Sequence, residues 1–303
     1  MKALLKEAAQ IQLQELPRPE AGPGEVLIRV RAAGLCRTDL LVMQGLLPAA
    51  DPLIPGHELA GEIAACGTGV SGFEPGERVT VHPLIGCGAC QACDARLPES
   101  CPQARMIGVE RHGAFAEYLC VPAHAVWKLP DGISWIEGAY TEPIAAIMGI
   151  FRAGITPEQS GWVMGSNRIA VLSSRVLQQR GFDAGQGPLD FVAPNSLDYL
   201  VESGLTADEL PRVLEVLKPG GVLIAKSRHI ESLPLPWSTI VRKDLRIQGL
   251  YYGSFGAALD FLAEDPEGLY DLLADLAGPE YRLDDWRGFL TPAETSKPFL
   301  VFD

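Results

Sequence analysis

The sequence has few basic residues and no cluster of them. It contains 25 Lys and Arg against 38 Asp and Glu, which gives a formal net charge of −13. Proteins that bind nucleic acid usually carry a basic patch, and anionic membrane surfaces attract the same positive charge. We therefore expect neither nucleic acid nor a membrane as a partner.

Long apolar segments are also absent. No apolar run reaches the roughly 18 residues that span a bilayer. The first residues, MKALLKEAAQ, do not form a secretory signal, because Lys6, Glu7 and Gln10 interrupt the apolar stretch and no small-residue cleavage site follows. These features predict a cytoplasmic protein, in which close-set cysteines bind metal more often than they form disulfides.

The chain has enough apolar residues for about two folded domains. Its 303 residues are 47% hydrophobic, and single domains usually contain about 100–200 residues. Residues 1–130 show short β-like runs separated by Gly and Pro turns, which favours a barrel or a sandwich. After Trp135, strands alternate with helices, which is typical of a parallel α/β sheet.

Apolar periodicity and turn residues predict the elements of this second part. They are a helix over 136–153 that ends at Gly154, strands at 161–164, 197–202 and 222–225, helices at 169–180 and 207–217, and a final strand at 297–302. We expect the final strand to return to the first domain.

Four cysteines fall within fifteen positions, Cys87, Cys90, Cys93 and Cys101. Zinc takes four tetrahedral ligands, and four thiolates leave no open position for chemistry. The alternative is a set of buried or redox cysteines, for which a reducing cell offers few uses. We interpret the cluster as a structural zinc site whose metal supports the folding of this lobe.

A second set of possible metal ligands is scattered along the chain: Cys36, His57, Glu58 and Glu142. A catalytic zinc needs about three protein ligands and an open position for water or substrate. One Cys, one His and one carboxylate would supply that set. The spacing alone does not bring them together.

Six segments, in order, resemble the zinc-containing medium-chain alcohol dehydrogenases. They are GLCRTD, PGHELAGEI, the four-cysteine lobe, GAFAEY, LPDGIS and TEPIAA. The resemblance is close over residues 1–160 and looser beyond. It implies an α/β protein with a GroES-like, β-barrel-type catalytic domain at 1–148 and 278–303, and a shortened Rossmann-like domain with a doubly wound parallel sheet at 149–277.

The resemblance also implies a second, catalytic zinc. Cys36 and His57 would be its ligands, and Glu142 would be the third. Glu58 would lie beside the ion, as an exchangeable ligand or a neighbouring carboxylate. Which of the two glutamates is the resting ligand stays open.

Further roles around the zinc follow from the same resemblance. Thr38 matches the hydroxyl that exchanges a proton with the substrate alcohol. Many members carry a histidine where this sequence has Leu41, and leucine cannot relay that proton. Arg37 matches a residue that contacts the cofactor pyrophosphate in some members, and its alternative role is that of a surface arginine.

The dinucleotide-binding turn departs from the family pattern GxGxxG, whose glycines allow a tight turn and a close approach of the pyrophosphate. Here residues 165–170 read GSNRIA. Gly165 matches the first glycine and Ala170 the third, but Asn167 replaces the middle one, where a side chain would crowd the phosphate. Because Asn tolerates a left-handed backbone, we expect the turn itself to survive.

The stretch after Gly181 is short for this family. At this point its members have a second strand ending in a ribose-binding acid, followed by a helix and a third strand. The run 189–193 cannot be a second parallel strand, because only 194–196 separate it from the next strand and a crossover needs about a dozen residues. We infer that a strand–helix–strand section is missing or rebuilt. NAD or NADP should therefore bind weakly or not at all.

Two functions fit these features. The first is a zinc-dependent oxidoreductase, with two zinc ions per chain, that interconverts an alcohol or polyol and its carbonyl by hydride transfer with NAD(P). The second is a member with a degenerate cofactor site that performs non-redox chemistry in the zinc pocket or acts as a binding protein. The resemblance favours the first, with a small alcohol or carbonyl substrate and a homodimer or homotetramer.

Overall fold

The structure is a computed structural model and describes residues 1–8, 10–227, 232–266, 268–291 and 296–303. The chain divides into two compact units, residues 1–143 with 258–303, and residues 144–257. The predicted domain limit at 148 lies near the observed boundary at 143. The predicted limit at 278 lies inside 258–303, the second segment of the first unit. No helix within the described ranges is long and apolar enough to cross a membrane.

Elements up to residue 148 are mostly short strands. They are β1 (Lys2–Glu7), β2 (Gln10–Glu15), β3 (Glu25–Gly34), α1 (Arg37–Met43), β4 (Glu58–Cys66), β5 (Arg78–Val81), β6 (Leu84–Ile85), α2 (Gln91–Asp94), β7 (Arg105–Met106), β8 (Tyr118–Pro122), β9 (Val126–Lys128), α3 (Trp135–Ala139) and α4 (Thr141–Met148).

Elements beyond residue 148 begin with alternating strands and helices. They are β10 (Gly161–Met164), α5 (Arg168–Gln179), β11 (Ala184–Gln186), β12 (Leu197–Glu202), α6 (Leu210–Val216), β13 (Leu217–Ala225), α7 (Trp237–Arg242), β14 (Arg246–Gly249), α8 (Phe255–Glu264), α9 (Gly268–Leu273), β15 (Ala277–Tyr281), α10 (Trp286–Phe289) and β16 (Lys297–Val301).

The first unit is built on a seven-stranded sheet with the order β15-β16-β3-β4-β5-β9, and β8 also pairs with β3. Strand β16 runs antiparallel to β3, with Phe299 opposite Gly34. The prediction that the last strand returns to the first domain is therefore confirmed. The alternating buried residues of these strands form one apolar core, in which Phe115 and Phe289 meet edge to face at 5.0 Å between ring centroids.

The second unit contains a five-stranded sheet of parallel pairs in the order β11-β10-β12-β13-β14. The section predicted to be missing or rebuilt keeps its second strand, β11, so the interpretation that the whole section is missing is wrong. The strand was missed because Ala-Gly-Gln is too short to form an apolar run. Between Gln186 and Leu197, a stretch that the structure describes in full, the chain forms no helix and no third strand.

The helix predicted over 136–153 is divided into α3, α4 and a 3₁₀ turn at Gly149–Ala153. Ser134 and Glu137 form a capping box that begins α3. The break at Tyr140 precedes Pro143, which has no N–H to donate to residue 139. Gly154 ends the segment with φ 72°, as predicted.

Candidate active site

Cys36 is the N-cap residue of α1, directly after β3. Its backbone N–H donates to Asp39 Oδ2 at 2.9 Å, so the first turn of the helix is closed by the carboxylate of Asp39. Thr38 is 3% exposed, and its Oγ1 lies 3.8 Å from Cys36 Sγ. Segment GLCRTD thus places a thiol and a hydroxyl side by side.

His57 is positioned by the turn before β4. Gly56 has φ 98°, and a Cβ built there would lie 2.5 Å from Cδ1 of Phe115, so only glycine fits. The Gly56 N–H donates to Asp39 Oδ1 at 3.1 Å, and His57 Nδ1 lies 3.0 Å from the same oxygen. Asp39 therefore holds the proton on Nδ1 and leaves Nε2 as the metal-binding atom.

Glu58 is the first residue of β4 and is 2% exposed. Its Oε2 accepts a hydrogen bond from Nζ of Lys297, the first residue of β16, which is 5% exposed. The ammonium also lies 5.4 Å from the ring centroid of Tyr140. Two strands from distant parts of the sequence thus bring a buried carboxylate and a buried ammonium together.

Cys36, His57 and Glu58 form one group, because one ligand atom of each lies within 4.8 Å of the others. Burial lowers the pKa of His57, but the negative charges of Asp39 and Cys36 outweigh burial and raise this pKa well above the usual value. The surroundings of His57 therefore favour a cation at this position. A thiolate, an imidazole and a carboxylate are the donor types that zinc takes, so these residues fit a zinc ion with an open fourth position.

Glu142 does not join this group among the described residues. It is buried in the first turn of α4, and its role as a third ligand stays a prediction. Arg37 is exposed at the start of α1, and its contact with a cofactor also stays a prediction. The half-buried Leu41 lies on the same helix, where it offers no proton-relay group.

The four cysteines of the predicted structural site come together around α2. Their Sγ atoms all lie within 4.8 Å of one another, with 3.9 Å between Cys87 and Cys93 and 3.6 Å between Cys90 and Cys93. A tetrahedral zinc with Zn–S bonds of about 2.3 Å requires about 3.8 Å between sulfurs. Backbone N–H groups of Cys87 and Gly88 donate to Cys101 Sγ and Cys93 Sγ. The lobe therefore fits a four-thiolate zinc.

The dinucleotide turn lies in the second unit between β10 and α5. Gly165 has φ 107°, which favours glycine. Asn167 has φ −71° and ψ 167°, so the turn does not depend on a left-handed asparagine, contrary to the expectation. Ala170 is fully buried in the first turn of α5. Gln186, a neutral amide, ends β11, about 20 residues after the first glycine, where dinucleotide folds place the ribose-binding acid.

Sequence comparisons relate the chain to known dehydrogenases. The family model described as Alcohol dehydrogenase GroES-like domain matches residues 22–131. An L-threonine 3-dehydrogenase from Alteromonas mediterranea is 41% identical over 291 residues, which cover 83% of this chain and 84% of the relative. A D-altritol 5-dehydrogenase from Agrobacterium fabrum is 37% identical over 185 residues, so that match spans 58% of this chain and about half, 54%, of the relative.

Solved structures with the same fold are also dehydrogenases and reductases. Acetophenone reductase from Geotrichum candidum, in complex with NAD, has a TM-score of 0.85 at 18% identity and covers 99% of this chain and 97% of its own. Galactitol-1-phosphate dehydrogenase from Escherichia coli has a TM-score of 0.84 at 22% identity and covers 100% of both chains. These likenesses confirm the predicted fold class, a GroES-like domain with a Rossmann-like domain.

The two zinc-ligand groups, the fold and the full-length relatives agree with the resemblance drawn from the sequence. The chain belongs to the zinc-containing medium-chain alcohol dehydrogenase family.

Proposed function

We propose that this protein is a zinc-dependent oxidoreductase that interconverts an alcohol or polyol and its carbonyl compound by hydride transfer with NAD(P). The observation that carries the proposal is the buried Cys36–His57–Glu58 group with the Thr38 hydroxyl beside it. A closed structural metal site would not need such a hydroxyl. A catalytic site needs both an open metal position and a proton-transfer group.

Each residue of the site has a distinct task. Cys36, His57 and Glu58 would hold the zinc, with Glu142 as a further candidate ligand. When bound, zinc lowers the pKa of an alcohol hydroxyl and the nicotinamide takes the hydride. Thr38 takes the hydroxyl proton during oxidation and returns it during reduction.

The positioning contacts support this assignment. Asp39 keeps His57 in the tautomer and the orientation that a metal needs. Lys297 balances the charge of Glu58, so this carboxylate is retained in a buried position even when it does not bind the metal. Proton transfer beyond Thr38 follows a route that does not use Leu41.

We propose two zinc ions per chain, one in the closed four-thiolate site and one in the open mixed site. The donor sets support this number, because each group contains at least three suitable atoms within 4.8 Å. Four free thiols in one lobe also favour a reducing compartment, for which we propose the cytoplasm.

The substrate class we propose is a small alcohol or polyol, or the corresponding carbonyl compound. Relatives named L-threonine 3-dehydrogenase and D-altritol 5-dehydrogenase support a hydroxyl group on a polar carbon chain. From the family resemblance of the sequence, we propose a homodimer or homotetramer as the assembly. The cofactor is NAD or NADP, bound weakly, because Asn167 and Gln186 replace residues that usually favour the dinucleotide.

The test is turnover by the zinc-loaded protein. Secondary alcohols and polyols are supplied with millimolar NAD⁺ or NADP⁺, and the absorbance of reduced cofactor is followed. We expect turnover with at least one alcohol, and we expect His57→Ala to lose it while still unfolding cooperatively, at a lower melting temperature because the buried Asp39 loses its partner. Full activity in His57→Ala would contradict the site, and no turnover with either cofactor would favour non-redox zinc-pocket chemistry.

A further inference from the structure

The N-terminus of α5 is capped by a side chain of the same protein. Asn167 is the N-cap residue of this twelve-residue helix, and its Oδ1 accepts hydrogen bonds from the N–H groups of Ile169 at 3.0 Å and Ala170 at 3.1 Å. The first N–H groups of a helix have no partner within the helix. Asn167 therefore satisfies two donors that otherwise point out of the helix.

The side chain of Asn167 is held from a second side by Ser203, the residue that follows β12. Its Nδ2 donates to the carbonyl oxygen of Ser203 at 2.9 Å, and Ser203 Oγ donates to Asn167 Oδ1 at 3.2 Å. A Cβ built on Gly204 would lie 3.4 Å from Nδ2 and one built on Gly165 would lie 3.8 Å away, both ordinary van der Waals distances. The amide is thus held beyond the ends of two neighbouring strands, β10 and β12.

The same N–H groups are the ones that a Rossmann fold uses for its cofactor. In such folds the pyrophosphate lies at the N-terminus of the helix after the first strand, where backbone N–H groups donate to its oxygens. An N–H group that already donates to Asn167 is not free to donate to a phosphate oxygen at the same time. The asparagine oxygen and the cofactor therefore compete for the same donors.

We propose that Asn167 is an intramolecular competitor of the dinucleotide pyrophosphate, so that NAD(H) or NADP(H) binds only after this side chain leaves the start of α5. The inference rests on the proposed function, because it takes the dinucleotide as the cofactor. It goes further by assigning the low affinity to one displaceable side chain. Removing the Asn167 side chain by substitution then raises the affinity for the dinucleotide without adding any contact to it.

Two variants separate competition from a merely structural cap. Asn167→Gly removes the competing oxygen, and glycine is a tolerated N-cap residue, so the melting temperature should fall only slightly. Asn167→Asp keeps the acceptor and adds a negative charge, which stabilises a helix start but repels pyrophosphate. Competition predicts that stability and affinity change in opposite directions in both variants. A structural role alone predicts that both quantities fall together in Asn167→Gly.

The experiment is a fluorescence titration of the full-length, zinc-loaded protein with NADH and with NADPH, alongside thermal melts of each variant. Releasing two hydrogen bonds should tighten the dissociation constant of Asn167→Gly by about tenfold to a hundredfold. Asn167→Asp should bind more weakly than wild type. Ser134→Gly, which removes a cap of the same kind from α3, is the matched control and should leave the dissociation constant unchanged.

Each outcome of the titration either supports or contradicts the competition between Asn167 and the cofactor. Tighter binding by Asn167→Gly supports the competition, whether or not wild type binds measurably. Equal or weaker binding by this variant overturns the competition but leaves the dehydrogenase intact if turnover is seen. No binding by either protein, together with no turnover, overturns both the competition and the proposed cofactor.

Discussion

Each buried charged side chain at the active site contacts a partner of its own. The carboxylate of Asp39 accepts hydrogen bonds from the N–H groups of Cys36 and Gly56 and contacts His57. Lys297 meets Glu58 with both side chains almost fully excluded from solvent, at 6% and 2% exposure. A buried ion pair is weak support for stability as a pair, but loss of one partner is costly because the other charge stays buried alone.

In the zinc-free protein, Lys297→Met should therefore lower the free energy of unfolding by about 3–5 kcal/mol, since Glu58 would remain as an uncompensated buried charge. Urea unfolding followed by tryptophan fluorescence measures the change. The double variant Glu58→Gln/Lys297→Met should recover most of the loss, because no isolated charge remains.

The matched control is Lys2→Met, which breaks an ion pair on the surface. Lys2 and Asp284 lie 2.8 Å apart with side chains 41% and 67% exposed. Solvent screens such a pair, so the expected change is much smaller than for Lys297→Met. Equal costs for the buried and the exposed pair would show that Lys297 does not compensate Glu58.

The sequence predicted the candidate metal ligands but not the residues that contact and position them. Cys36, His57 and Glu58 lie in recognisable segments, and the structure brings their ligand atoms together. Asp39 lies in the segment GLCRTD, but its partner His57 is 18 positions further along the chain. Lys297 is 239 positions from Glu58, and no local pattern joins them. Long-range pairing of this kind follows from the sheet and not from residue spacing.

At the scale of elements, the dinucleotide-binding sheet ends in an edge strand of three residues. Gly185 lies in the middle of β11, and a Cβ built there would lie 2.2 Å from Cζ3 of Trp162. The indole Nε1 of Trp162 donates to the carbonyl oxygen of Gly187 at 2.9 Å. One tryptophan on β10 therefore covers the edge strand and fixes the loop after it.

Gly185→Ala should destabilise the second unit by about 1–3 kcal/mol, because the new methyl group would overlap the indole ring and force it to move. Midpoints of urea unfolding measure the effect. Gly249→Ala, in β14 at the opposite edge of the same sheet, is the control, since no atom lies within 4 Å of a Cβ at that position. A loss in the control as large as that in Gly185→Ala would contradict the packing argument.

Longer elements were easier to predict than this edge strand. Strands β10 and β12 and helix α5 have clear apolar periodicity, and the structure has them where the sequence placed them. Strand β11 has one apolar residue, Ala184, and becomes a strand only through its parallel pairing with Gly161–Val163. The segment 136–153 was predicted as one helix because its apolar spacing continues across the two breaks. In the sequence, only Pro143 indicates an interruption.

At the scale of the whole molecule, two candidate metal-ligand groups of different character lie in the first unit. The four-thiolate group would complete the tetrahedral shell of a zinc ion, whereas the Cys36 group would leave one position open. Structural zinc contributes directly to folding free energy, and a catalytic zinc contributes mainly to chemistry. Loss of the two metals should therefore have different consequences for the protein.

Cys93→Ser should reduce the zinc content from about two to about one per chain and lower the melting temperature, because it removes one of four ligands. Elemental analysis and thermal melts measure both effects. Cys120→Ser on β8 is the control, since Cys120 belongs to neither metal group among the described residues. An unchanged zinc content in Cys93→Ser would refute the four-thiolate site.

The pairing of β16 with β3 has a consequence for biosynthesis. The ribosome must add 239 further residues after Glu58 before Lys297 exists, which takes roughly 12–48 s at about 5–20 residues per second. The second unit, contiguous at 144–257, is complete before the first unit receives its last strand. During that interval the nascent Glu58 has no ammonium beside it and stays hydrated, so the burial of this carboxylate waits for the last strand to be synthesised.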